Sequence, residues 1–376
     1  MIKIDRNSLD GMMISWLRLP LAILIVAIHT YYSRNLEDIS YILGYVALPK
    51  FYHLAVPCFF FISGYLLFAR YDRFGIEEYS SVLKRKFLAL AVPYMIWNGL
   101  MFYGRMISGT LDPYYEPWNF YRVFWVYYDG GYSTSMLGYD YADGSEPINV
   151  PLWFLRDLMV VTLLSPLIWK IVKCLGTWSL LLFILPYIFL IGVPIHGFGM
   201  RALCFFPMGA AFSILGISLG EFIKKSWRLF VPIYLLVITF RSLSIIDDEW
   251  DVLFRISLLT GVFFMLSISY WGVRHTKSRD MIIKLGEASF LIYVGHSFLF
   301  VRSVHELSLY LREIPIWGGM AGCMISIFGR VAFLTALYFL LKRKMPRLLM
   351  ILTGWRKTNN NKTSTENYIK DLQTIQ

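Results

Sequence analysis

The chain has 376 residues, of which 57% are hydrophobic and only 16% charged, and its mean hydropathy is +0.54. A soluble domain of this length needs a largely polar exterior, so the composition excludes one and points to a membrane protein; the lack of strict two-residue alternation excludes a spanning β-barrel. The formal net charge of +11 sits largely in short loops and the C-terminal segment, and gives no reason to invoke nucleic acid.

Ten apolar stretches, each near the ~20 residues that a helix needs to cross a bilayer, are predicted as spans. They run roughly over 12–32, 47–69, 87–108, 151–173, 177–194, 201–221, 229–246, 252–273, 284–304 and 316–341. The expected fold is an all-α polytopic helix bundle. The first span contains "WLRLPLAILIVAIHTYY", with Arg18 near its start and His29 near its end. No small-residue cleavage site follows it, so it reads as a retained span. At about 100° per residue the two side chains leave one helix face, about 16 Å apart along the axis. An arginine in hydrocarbon costs at least a few kcal/mol, so Arg18 reads as an interior functional group, the alternative being a side chain that snorkels to the headgroups. His29 reads as the titratable group; Glu37 and Asp38 lie beyond the span, and no carboxylate partner for it can be named.

The second span opens with His53, at the same end as His29, and its Ser63 and Gly64 read as small residues that let helices approach. Lys84, Arg85 and Lys86 precede the third span. The loop over 109–150 contains "WNFYRVFWVYY" among Asp, Glu, Gly and Pro, a composition that suits the C–H faces and hydroxyls of sugars and equally an interfacial aromatic belt. Trp153 and Phe154 open the fourth span and could wall an acceptor site, followed by Arg156 and Asp157, which neutralise each other or bind polar groups of a substrate. Tyr293 and His296 lie three apart on one helix face late in the chain, and Arg330 is a charge inside the last span with no partner apparent in the sequence. Cys58, Cys174, Cys204 and Cys323 show no metal-ligand spacing and read as small core residues, neither disulfides nor a metal site.

Basic residues set the expected orientation. Lys3 and Arg6, Arg70 to Lys86, Lys170 and Lys173, Lys224 to Arg228, Arg274 to Lys284 and Lys342 to Arg347 fall on one side, and Asp112, Glu116, Asp129, Asp140, Asp143, Glu146, Asp247, Asp248, Glu249 and Asp251 on the other. By the positive-inside rule both termini are cytoplasmic, which requires an even number of spans. Residues 1–356 are then the membrane domain and 357–376, with "NNNKTSTEN", a polar cytoplasmic tail expected to be disordered.

The Arg18 and His29 spacing, "VPCFFFISGYLL" at 56–67, "PLWFLRDLMVV" at 151–161 and "GEASFLIYVGHSFLF" at 286–300 occur in an order that resembles the acyltransferase 3 family of integral membrane acyltransferases. One departure stands out: members often carry further basic residues at the start of the third span, and here Leu90 stands where an arginine is expected, the basic cluster lying nearer the cytoplasm. The resemblance implies transfer of an acyl group, most often acetyl from acetyl-CoA, to a hydroxyl of a cell-envelope glycan or lipid-linked sugar, in a bacterial plasma membrane. It implies His29 as the catalytic residue and Arg18, with Arg85 and Lys86, as groups that hold the donor's phosphates. His53, Trp153, Arg156, Tyr293 and His296 are the candidates for binding the acceptor. An imidazole can take the proton of an attacking hydroxyl or can itself become acylated, and the sequence leaves both open. A glycan transporter or flippase is the alternative reading, and a non-catalytic sensory or assembly protein a third.

Overall fold

A computed structural model describes residues 8–30, 49–111, 119–130, 132–134, 140–142, 145–243, 252–298 and 318–354. The expected tail, Glu37, Asp38 and the acidic stretch 247–251 lie outside the described residues. In chain order α1 (Leu9–Ile28), the short α2 (Pro49–Tyr52) and α3 (Ala55–Phe68) are followed by α4 (Ile76–Lys86), which continues through a π turn (Phe87–Ala91) into α5 (Val92–Ile107). A small loop lobe comes next, with a π turn at Tyr121–Trp125 and two antiparallel ladders: β1 (Tyr128–Asp129) with β4 (Ser145–Glu146), and β2 (Tyr132–Thr134) with β3 (Asp140–Ala142). Helices α6 (Trp153–Leu163), α7 (Ser165–Leu175), α8 (Ser179–Ile188), α9 (Met200–Ile214), α10 (Leu219–Leu243), α11 (Val252–His275), α12 (Arg279–Leu285) and α13 (Ser289–Gly295) follow. The chain of described elements ends with α14 (Gly318–Met324), a π turn (Ile325–Gly329), α15 (Arg330–Lys344) and α16 (Pro346–Thr353).

The protein is thus an all-α bundle, but its helices are more broken than the ten expected spans. Among the described residues six helices are long and apolar enough to cross a membrane, or seven if the pair Met200–Ile214 and Leu219–Ser242, bent by 118°, is one span. The causes are local. Pro166 sits in the first turn of α7, and the chain breaks before it, leaving two helices of 11 residues where 151–173 was expected to be continuous. The stretch 177–194 ends early because Leu190 adopts φ 54°, a left-handed conformation that no helix continues through; α7 and α8 together form the span Ser165–Ile188. Gly216, at φ 75°, turns the chain between α9 and α10.

Two contacts hold the centre. Helices α3 and α9 cross through facing glycines: a Cβ on Gly64 would lie 2.0 Å from the Phe206 carbonyl oxygen, and one on Gly209 would lie 1.9 Å from that of Phe61. Small residues permit this backbone approach, as expected for Gly64, and Phe60, Phe61, Phe205 and Phe206 pack around it fully buried. The second contact was not foreseen. Asp10, 3% exposed in the first turn of α1, caps α10 from a distance, accepting from Gly220 N (2.7 Å), Leu219 N (3.1 Å), Ser218 Oγ (2.8 Å) and Tyr65 Oη (2.5 Å). A carboxylate there satisfies N–H groups that the helix start leaves orphaned and interacts favourably with its dipole. Cys58, Cys204 and Cys323 are buried, as expected of small core residues, whereas Cys174 is exposed near the end of α7, where the amphipathic helix turns that face outward.

Candidate active site

Helix α1 ends at Ile28, and His29 occupies its C-cap. Its neighbours Ile25, Val26 and Ala27 are buried while the His29 side chain keeps accessible surface. Across from it stands His296, the C-cap of α13, 1% exposed, with the two ring centroids 5.1 Å apart and the planes inclined by 33°. The His296 Nδ1 lies 2.8 Å from the Tyr293 carbonyl and 3.2 Å from that of Ile292. Carbonyls only accept, so in the neutral ring Nδ1 carries the proton and Nε2 is the basic nitrogen. That Nε2 is buried and has no hydrogen-bond partner among the described residues. Tyr293 holds this end of α13 in place by donating its hydroxyl to the Pro151 carbonyl at 2.6 Å, with its ring edge-on to Phe154 at 5.7 Å.

Arg330, which the sequence left without a partner, reaches the same place. It is 5% exposed and donates from Nη2 to Thr30 Oγ1 at 2.6 Å, one residue beyond His29. Its charge acts on both imidazoles. The site therefore gathers two imidazoles and a guanidinium from opposite ends of the chain, and the described surroundings of His29 supply His296 in place of a carboxylate. Thr30 and Ser326 went unnoticed in the sequence. Ser326 could have been found as the residue one helical turn before Arg330, on its face.

The remaining candidates separate into groups. Arg18 is exposed on α1 against the turn at Gly286, where a Cβ would lie 3.4 Å from the Arg18 Cβ. Arg85, on α4, donates to Tyr71 Oη and to the Ser81 carbonyl (3.3 Å) and lines an open groove of about 570 Å³ with Ser80, Ser81 and Lys84; Lys86 is half-buried at the helix end. His53 stacks edge-on against Tyr52 (4.6 Å) and Phe254 (5.3 Å), near Arg241, whose guanidinium lies 4.5 Å from the Phe254 ring. Trp153 is half-buried against Phe60 at 6.5 Å.

Arg156 resolves in favour of internal pairing. Its Nε and Nη2 both bond Asp157 Oδ1 at 2.9 Å, and Nη1 donates to the Trp125 carbonyl (2.8 Å) and Ser145 Oγ (3.1 Å). The pair is 3% and 1% exposed, so its donors are spent on tying the loop lobe to α6. Asp157 in turn requires Gly199, where a Cβ would fall 2.2 Å from Oδ2. Within the lobe, burial pushes the Glu146 carboxyl up to about 7 against the opposing pull of Arg156. Burial likewise holds the His196 imidazole below its ordinary range, opposed by Asp129 at 3.5 Å. Among the described residues no three His, Cys, Asp or Glu side chains converge as a metal site.

Comparison with known proteins bears on this arrangement. A family model described as an acyltransferase domain matches residues 13–352, which include most of α1 and all of α13 and α15. The chain is 28% identical over 333 residues to the succinoglycan biosynthesis protein ExoH of Rhizobium meliloti, covering 81% of this chain and 80% of that protein. No solved structure matches.

Proposed function

Since the chain belongs to the acyltransferase 3 family, we propose that it moves a short acyl group, acetyl as the first candidate, from a cytoplasmic acyl-CoA to a hydroxyl of a cell-envelope glycan. The observation that carries this reading is the convergence of His29 with His296 at the end of α1, 5.1 Å apart, on a side chain that keeps accessible surface. A sugar hydroxyl is a weak nucleophile near neutral pH, and a neutral imidazole is suited to take its proton. In the proposed step the acceptor oxygen attacks the thioester carbonyl as its proton passes to His29. The tetrahedral intermediate then collapses, the carbon–sulfur bond breaks, and the leaving thiolate recovers the proton from the imidazolium. His296 offers a basic Nε2 beside the reacting imidazole, where it can accept a hydrogen bond and hold one tautomer.

The donor side of the reading rests on α1. Arg18 keeps its side chain accessible about 16 Å down the same helix from His29, a separation that fits the distance from the phosphates of coenzyme A to its thioester. Guanidinium is well matched to phosphate. The groove lined by Glu77, Ser80, Ser81, Lys84 and Arg85 offers two further cationic side chains for the nucleotide. In this assignment Arg18, Arg85 and Lys86 face the cytoplasm of a bacterial cell, both termini are cytoplasmic, residues 1–356 form the membrane domain with 357–376 as its tail, and the loop lobe faces outward. The name of the relative, which refers to biosynthesis of a polysaccharide, supports a glycan as acceptor. His53 and Trp153 are proposed to line the acceptor side; Arg156 and Tyr293 act there through the framework they hold.

The test is acyl transfer from radiolabelled acetyl-CoA to envelope glycans in membranes carrying wild type, His29→Ala or Arg18→Ala at equal expression. Label incorporated by wild type and lost in His29→Ala supports the reading. Equal label in both removes His29 from the chemistry. No label with any acyl-CoA, alongside intact glycan translocation, replaces the enzyme with a transporter.

A further inference from the structure

The side chain of Arg330 is unusually constrained for a charge inside a predicted span. Immediately before it the helix widens into a π turn over Ile325–Gly329. The backbone N–H of Arg330 bonds Ile327, and the Ser326 carbonyl, which an unbroken α-helix would offer to that N–H, instead accepts from the side-chain Nε of Arg330 at 2.7 Å. Such single π turns are frequent at functional positions. The Nη2 is shared between Ser326 Oγ and Thr30 Oγ1, both at 2.6 Å.

Thr30 makes the other half of the clamp. Its hydroxyl donates to the Val26 carbonyl at 2.8 Å, and its backbone N–H bonds Ala27 at 3.1 Å. With its one proton so used, the hydroxyl oxygen is left to accept from Arg330. The last turn of α1, which would otherwise fray with unpaired carbonyls, is closed by this side chain. His29 lies inside that closed turn, directly before Thr30. The element opposite, which carries His296, is fixed independently through Tyr293 and Pro151.

We propose that Arg330, acting through Thr30, is a positioning residue that sets the His29 ring against His296. The inference rests on the reading of His29 as the general base. It makes the π turn before α15 part of the catalytic apparatus although no atom of that turn need touch a substrate. The fork geometry is essential, because one guanidinium spans Ser326 and Thr30 at once while a lysine ammonium on its flexible stem does not reproduce the arrangement.

The experiment is steady-state acyl transfer in native membranes by wild type, Thr30→Val, Thr30→Ser, Arg330→Gln, Arg330→Lys and the double variant Thr30→Val with Arg330→Gln, each normalised to folded protein by detergent size exclusion. Misplacement of a catalytic group by about 1 Å can lower a rate roughly 100-fold, so Thr30→Val and Arg330→Gln are each expected to lower kcat by about that factor while KM for the acyl-CoA holds. Thr30→Ser, which keeps the hydroxyl, retains most of the rate, and Arg330→Lys falls between Gln and wild type. Because both act through one contact, the double variant is no slower than the slower single one. Wild-type kcat in either single variant, or losses that multiply, overturns the inference while an inactive His29→Ala leaves the acyl-transfer reading standing. An inactive wild type with every acyl-CoA overturns that reading and this inference with it.

Discussion

Two of the buried arginines, Arg156 and Arg330, both lie inside predicted spans and serve different surroundings. Arg156 spends its fork on an adjacent carboxylate and on the Trp125 carbonyl and Ser145 hydroxyl, and the result is a closed polar knot that ties a loop lobe to α6. Arg330 holds a threonine and a serine beside two imidazoles, one of them accessible and the other with a buried Nε2 that has no hydrogen-bond partner among the described residues. The proposed function puts the chemistry at the second, because catalysis needs a lone pair that is positioned and unspent, whereas a network whose members are mutually satisfied stabilises the fold and leaves nothing for a substrate.

The comparison is broken most directly by exchanging the losses. His29→Ala is expected to lower kcat by about 10²–10⁴-fold with an unchanged melting temperature, as removal of a general base does. Asp157→Ala is expected to do the reverse. It leaves the Arg156 guanidinium buried without its carboxylate and costs about 3–5 kcal/mol of stability, read as a lowered melting temperature in detergent, with activity per folded molecule retained. If Asp157→Ala abolishes turnover in folded protein, the knot is part of the site and the distinction between the two arginines fails.

A smaller effect sharpens the donor side. Arg18→Ala is expected to raise KM for acyl-CoA about tenfold, the equivalent of ~1.4 kcal/mol, with kcat recovered at saturating donor. A fall in kcat that excess donor does not repair would place Arg18 in the framework and move the donor phosphates to the groove at Lys84 and Arg85.

How much of this was legible in the sequence follows from what each feature depends on. Apolar length gave the helical membrane class, and the spacing of Arg18 and His29 put both on one face because helix geometry is local. His296 was visible as a histidine in a resembling segment, but its 5.1 Å approach to His29 joins distant segments, and no local rule supplies that. The span count was less legible: hydropathy averages over windows and passes through Pro166, Leu190 and Gly216, where the backbone breaks. Asp10 was hidden for a related reason, since its role as a cap is defined by α10, more than two hundred residues on. Arg156 next to Asp157 could be read as a pair from adjacency alone.

The loop lobe permits one last separation of the two regions, by pH. The Glu146 carboxyl titrates near 7 in the folded lobe against an ordinary value of 4.5, so the fold holds its proton longer than the unfolded chain does. Stability from this group is therefore complete below about 4.5 and is lost as pH rises towards 7. His196 runs the other way. Its imidazole is held below the ordinary 6.5, so its contribution is present above that value and is lost as pH falls. Between pH 5 and 7 the two slopes oppose, and the melting temperature of wild type should change less than that of either single variant. Glu146→Gln should leave a lobe that grows more stable as pH rises through this window, and His196→Gln one that grows less stable. Intrinsic tryptophan fluorescence during melting, with Trp125 inside the lobe, is the readout. Because the charge acting on Glu146 is that of Arg156, whereas the imidazole pair feels Arg330, Glu146→Gln should leave the pH profile of kcat where wild type has it. A profile that moves with Glu146 would join the lobe to the chemistry and erase the distinction between the two regions.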